Sequence, residues 1–125
     1  MFMKYIRALI FGVVCVPFVA NSSDLQSEDK AQIEHLLSFI SSSPCKFMRN
    51  GSWYEASEAA DHIRKKYNYV LSKGLIESAE DFIKYSATKS SISGKKYRVQ
   101  CSNSPEIDSS EWLLTELGAF RATNK

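Results

Sequence analysis

Cysteine placement constrains this chain more than any other feature. Cysteines occur at positions 15, 45 and 101, and the first sits in a segment that reads as an export signal. Lys4 and Arg7 precede a mostly apolar run over residues 8–20. Such a run is too short to span a bilayer as a helix and fits the central region of a secretory signal peptide. Ala20-Asn21-Ser22 puts small residues at both critical cleavage positions. Residues 1–22 are therefore expected to be a signal peptide, and residues 23–125 a single α+β domain of about 103 residues. Val14 precedes Cys15 where a lipoprotein signal wants a small residue, which argues against a lipid anchor. Cys45 and Cys101 then remain as an even pair in an oxidising compartment, and a disulfide is the simplest use of them. Chain-entropy reasoning gives a loop of this length roughly 4 kcal/mol. A reactive thiol would need a Cys-x-x-Cys spacing or a neighbouring His, and neither is present.

The same cleavage changes the charge. The chain carries 16 basic and 14 acidic residues; Lys4 and Arg7 are the charged residues of 1–22, so the remainder balances at 14 and 14. That neutrality argues against nucleic-acid binding, which needs a basic excess on one face. No mature segment combines a basic polar face with a large apolar one, so membrane insertion after cleavage is not expected.

Along the mature chain, Ile33, Leu36, Leu37 and Ile40 recur at helical spacing, and Asp24, Glu28 and Asp29 load the start of this segment with acid. The spacing predicts a helix from residue 23 to about 40, ended by Ser41-Ser42-Ser43-Pro44. Asn50-Gly51 between Cys45-Lys46-Phe47-Met48-Arg49 and Ser52-Trp53-Tyr54 is a two-residue hairpin signal. Ala56, Ala59, Ala60, Ile63, Tyr67 and Val70 line one side of a second helix, from 56 to about 71, and Gly74 suits its stop. Ser78-Ala79-Glu80-Asp81 starts a third helix carrying Phe82, Ile83 and Tyr85 to about residue 89. Residues 90–96 read as a loop. Tyr97, Val99 and Cys101 share one face of a strand, as Cys45 and Phe47 do in the hairpin, so a disulfide between the two strands is geometrically reasonable. Asp108 can cap a last helix with Glu111 three residues on, burying Trp112 or Leu113, Leu117 and Phe120. The expected fold is a small antiparallel sheet, the hairpin plus a third strand, packed with about four helices.

No set of catalytic residues emerges, and the chain is not expected to be an enzyme. Glu58 and His62 stand four apart but lack a third metal ligand, so a solvated helix face with an ion pair is the preferred reading, with no metal and no cofactor. The carboxylate pairs Glu80 with Asp81 and Glu55 with Glu58 are accounted for by capping and dipole complementation. Arg64-Lys65-Lys66 reads as a solvated face with Asp61 and Glu58 one turn back. Trp53 and Tyr54 suit stacking on a sugar or a partner, with core packing preferred for at least one of them.

Ser93-Gly94-Lys95-Lys96-Tyr97 has an ordinary reading as a loop in which Gly94 permits positive φ and Tyr97 begins the strand. It also resembles the Ser-Gly-x-x-Tyr loop of bacterial periplasmic lysozyme inhibitors, matching at Ser93, Gly94 and Tyr97. The resemblance implies a loop that enters a muramidase cleft, where a hydroxyl and an ammonium would satisfy the two catalytic carboxyl groups. Those inhibitors are mainly β-structured, so the likeness lies in loop chemistry. A wider resemblance runs through Phe47-Met48-Arg49-Asn50-Gly51, the stretch Glu58-Ala59-Ala60-Asp61-His62-Ile63-Arg64-Lys65-Lys66-Tyr67, Ala79-Glu80-Asp81-Phe82-Ile83 and Ser90-Ser91-Ile92-Ser93-Gly94-Lys95. These segments resemble the YfeK-like family of small exported bacterial proteins, which implies a periplasmic location.

The expected function is that of a non-enzymatic periplasmic inhibitor or immunity protein that blocks a peptidoglycan-degrading, lysozyme-like enzyme or a secreted toxin. Ser93 and Lys95 are the expected contacts, with Gly94 and Tyr97 shaping the loop. The partner is then a cell-wall hydrolase or toxin, and a homodimer is compatible with the sequence. The alternative is a housekeeping envelope protein that binds peptidoglycan or another protein through Trp53, Tyr54 and residues 64–66.

Overall fold

The computed structural model describes residue 12 and residues 25–124; the rest of the expected signal peptide and the first residues of the predicted first helix lie outside the described residues. Four helices and four strands follow one another as α1 (Ser27–Ser42), β1 (Lys46–Arg49), β2 (Ser52–Tyr54), α2 (Ala56–Ser72), α3 (Ala79–Ser86), β3 (Arg98–Gln100), β4 (Ile107–Asp108) and α4 (Ser109–Thr123). The α+β class is as the sequence predicts.

The hairpin is built on the predicted turn. Asn50 and Gly51 take φ of 52° and 82°, and the register pairs Arg49 with Ser52 and Phe47 with Tyr54 across a two-residue loop. β1 also pairs antiparallel with β3, setting Phe47 opposite Val99, and the sheet order is β2-β1-β3-β4. Continued by one pair, that register sets Cys45 opposite Cys101, and the two form the expected disulfide. Continued the other way, it sets Arg49 beside Tyr97 at the opposite end of the sheet.

β4 was not expected. Ile107 and Asp108 pair with Val99 and Arg98, a two-residue strand too short to leave an alternating pattern. It also corrects the role assigned to Asp108. That residue precedes α4 without making a side-chain cap bond, because its carboxylate is taken by Arg98 on the neighbouring strand and approached by Lys96 at 3.5 Å.

The core forms where the apolar stripes meet the inner face of the sheet. All four apolar residues predicted for α1 and all six predicted for α2 are buried, and Phe82, Ile83, Leu113 and Leu117 join them from α3 and α4. Burial of such side chains is the main favourable term in folding, at about 1.5–3 kcal/mol each. Trp112 and Phe120 sit at the margin: the Trp112 ring stacks on Phe39 at 4.5 Å, and Phe120 on His35 at 4.0 Å. α3 ends at Ser86, three residues before the predicted stop. Thr88 then bonds back to Ile83 O at 2.7 Å, and Lys89 bridges to Lys96 to enter the loop.

Candidate functional site

The β1–β2 turn, the middle of α2 and the loop over residues 89–97 converge on one side of the molecule. Parity along β1 explains why. Arg49 has the same inward orientation as Phe47, but it stands at the end of the strand where the core gives way to solvent, and α2 meets it there with His62.

Arg49 Nη1 lies 2.9 Å from His62 Nδ1. A guanidinium only donates, so Nδ1 is the unprotonated nitrogen and the ring proton resides on Nε2, which faces Tyr97 Oη at 3.3 Å. Burial, with the charges of Arg49, Lys66 and Lys65 acting in the same sense, pulls the His62 pKa below its ordinary value and keeps the ring neutral at pH 7. Lys66 completes the group. Its ammonium donates to Lys89 O at 2.5 Å and to Tyr97 Oη at 3.2 Å, and burial together with nearby Lys89 lowers its pKa. Burial raises that of Tyr97. Arg49 also covers the Tyr54 ring at 4.6 Å from its centroid.

These placements correct two sequence expectations. His62 is half-buried and bonded to Arg49 and Tyr97, so it is not part of a solvated ion pair with Glu58. Residues 64–66 do not form one solvated face: Arg64 makes a two-point bond to Glu34 of α1 at 2.7 and 3.0 Å, Lys65 is exposed, and Lys66 is half-buried against Tyr97. Among the described residues no group of three or more His, Cys, Asp or Glu side chains is arranged to hold a metal ion.

The loop that carries the Ser-Gly-x-x-Tyr match is internally cross-braced. Ser90 N donates to Lys95 O and Gly94 N to Ser90 O, each at 3.0 Å. The buried Ser90 hydroxyl accepts from Ile92 N and Ser93 N at 3.3 Å, and Asn50 Nδ2 reaches it from the hairpin at 3.4 Å. Ser93 Oγ donates to Asn50 Oδ1 at 2.5 Å and accepts from Lys95 N. Gly94 sits at φ 73°, as its turn requires. Tyr97 is buried at 6% exposure beneath this loop, whereas residues 91–96 are all exposed and Ile92 stands 96% in solvent. Sequence reasoning missed Asn50 as the anchor of the loop, Ser90 as its hub and Arg49 as the centre of the neighbouring cluster. The inward parity of Arg49 with Phe47 was the available signal for the last.

Residues 27–121 match DUF5329, a family of unknown function. The chain belongs to this family. It is also 30% identical over 95 residues to the uncharacterized protein YfeK of Salmonella typhimurium, an alignment that covers 75% of each protein, so the YfeK-like resemblance holds. No solved structure matches the chain. The matched span runs from the start of α1 to within two residues of the end of α4 and takes in the disulfide and the braced loop. Among the described residues no helix is long and apolar enough to cross a membrane.

Proposed function

We propose that the protein is a periplasmic, non-enzymatic inhibitor or immunity protein that blocks a lysozyme-like cell-wall hydrolase or toxin by inserting the loop over residues 90–96 into its cleft. One observation carries this reading: the exposed loop is held in a single shape from inside by Ser90 and from the hairpin by Asn50. A loop ordered before contact loses little conformational freedom on binding, which is the property that makes rigid inhibitory loops effective. Lys95 supplies an ammonium with no carboxylate partner among the described residues, and Ile92 an apolar tip. A muramidase cleft carries paired carboxyl groups, so Lys95 is the contact. Ser93 has committed its proton to Asn50 and acts with Gly94 and Tyr97 on loop shape. Export, on this reading, brings the disulfide into the oxidising compartment where it forms.

The test mixes the purified protein with a panel of muramidases and follows lytic activity and co-elution. Inhibition of at least one enzyme, weakened about tenfold or more by Lys95→Glu, is expected. If no enzyme of the panel forms a complex or loses lytic activity, the proposal is overturned.

One feature supports the alternative of an envelope protein. Trp53 is 40% exposed above a shallow groove lined by Lys46, Gln100 and Asn103, an aromatic face beside polar groups that suits a sugar ring. Retention on insoluble peptidoglycan, lost in Trp53→Ala, would favour it.

A further inference from the structure

The four described arginines are not used alike. Arg64 is bound to Glu34, Arg98 to Asp108 and Glu106, and Arg121 to Glu80. Arg49 makes no ion pair among the described residues, although it is half-buried and fixed by His62 and the Tyr54 ring. It opens onto a groove of about 400 Å³ between the β1–β2 turn, α2 and the 89–97 loop. Lys65 and Lys66 line the same groove, no Asp or Glu does, and Tyr69 and Ile92 flank it with apolar surface that is 64% and 96% exposed. Glu58 is exposed, lines a separate, mostly apolar pocket with Arg49, and makes no ion pair with it. Three cations thus share one acid-free groove.

We propose that this groove is a receptor for a carboxylate side chain of a protein partner, with Arg49 as the binding group, Lys65 and Lys66 as flanking charges, and Tyr69 and Ile92 as apolar walls. It deepens the inhibitor reading, on which it rests, by placing a second contact beside the inserted loop. Three features favour a carboxylate on a polypeptide. A guanidinium offers parallel donors that match a carboxylate in two-point geometry. Arg49 and Lys66 are already held in place, so little side-chain freedom is lost when the acid arrives. The apolar walls suit the stem and neighbours of an acidic side chain better than a small hydrated anion.

The experiment titrates the full mature chain with a fluorescent tetraglutamate peptide at low ionic strength, reading anisotropy, and repeats the titration with Arg49→Gln and Lys65→Gln. Saturable binding is expected, weakened about tenfold or more in Arg49→Gln and several-fold in Lys65→Gln, and lowered by salt. A far-UV circular dichroism spectrum verifies that each variant folds, and the exposed Lys65 tests the groove without touching the braced cluster. Absence of saturable binding, equal binding by wild type and both variants, or displacement by inorganic phosphate at concentrations comparable with the peptide would each overturn the groove assignment. The two proposals separate cleanly. A muramidase still inhibited fully by Arg49→Gln overturns the groove and leaves the loop, whereas peptide binding without any inhibited muramidase overturns the loop reading and leaves the groove.

Discussion

At the scale of single residues, the unusual position is His62. Its neutral ring accepts from Arg49, and protonation would both remove that acceptor and add a third charge beside Arg49 and Lys66. A base whose pKa is lower in the folded than in the unfolded chain binds more protons when unfolded. Its contribution is complete above the unfolded value of about 6.5 and is lost as pH falls through the lower folded value. The apparent Tm of the wild type should therefore fall more between pH 7 and pH 5 than that of His62→Gln, whose amide oxygen can still accept from Arg49. Parallel slopes in a thermal-melt series would refute this. Ser86 offers an opposite case: its hydroxyl is fully buried in α3 without a partner among the described residues. Ser86→Ala removes an unsatisfied group and should raise stability by about 1 kcal/mol in urea denaturation. Neither position is legible in the sequence, where a histidine on a helix and one serine among many look solvated.

At the scale of elements, the hairpin turn and the attachment of α4 are the informative joints. Gly51 meets no neighbour that an added methyl would touch, but its φ of 82° strains any L-residue. Gly51→Ala should cost about 1 kcal/mol, a Tm decrease of about 4–8 °C for a domain of this size. The change should also loosen the 90–96 loop, because its anchor Asn50 is the other turn residue. α4 is held to α3 and α1 through Arg121, which binds both oxygens of Glu80 at 2.6 and 2.9 Å and the buried Gln32 Oε1 at 3.0 Å. This bond holds the Glu80 carboxyl below its usual range. Arg121→Ala removes the partner of the buried Gln32 amide and should cost about 1–3 kcal/mol, against less than about 1 kcal/mol for Arg64→Ala, whose pair with Glu34 is exposed. Urea denaturation of the two variants measures the difference. Helix positions and the turn were readable because 3.6-residue periodicity and Asn-Gly chemistry are local. Arg121 and Glu80 are 41 residues apart, and no local pattern links them.

At the scale of the molecule, the disulfide ties the start of β1 to the end of β3, so that one covalent link spans α2, α3 and the braced loop. Reduction should lower the unfolding free energy by roughly 4 kcal/mol in the chain-entropy account, read as a lower urea midpoint in reductant. Because the bond lies at the opposite end of the β1–β3 ladder from Arg49 and Tyr97, reduced protein that remains folded should keep its groove. Sequence alone determined the helices, the hairpin, the apolar stripes that become the core and the family, since each depends on residues close in the chain or on an ordered set of short segments, and it determined the cysteine pair by count, since two cysteines remain beyond the expected signal. Tertiary structure alone decided which cations are paired. Arg49, Arg64 and Lys66 are equivalent as letters, yet strand parity turns Arg49 toward His62, helix packing brings Arg64 to Glu34, and burial lodges Lys66 against Tyr97. Charge pairing depends on distances between elements remote in the chain, and these exist only once the helices and the sheet have packed.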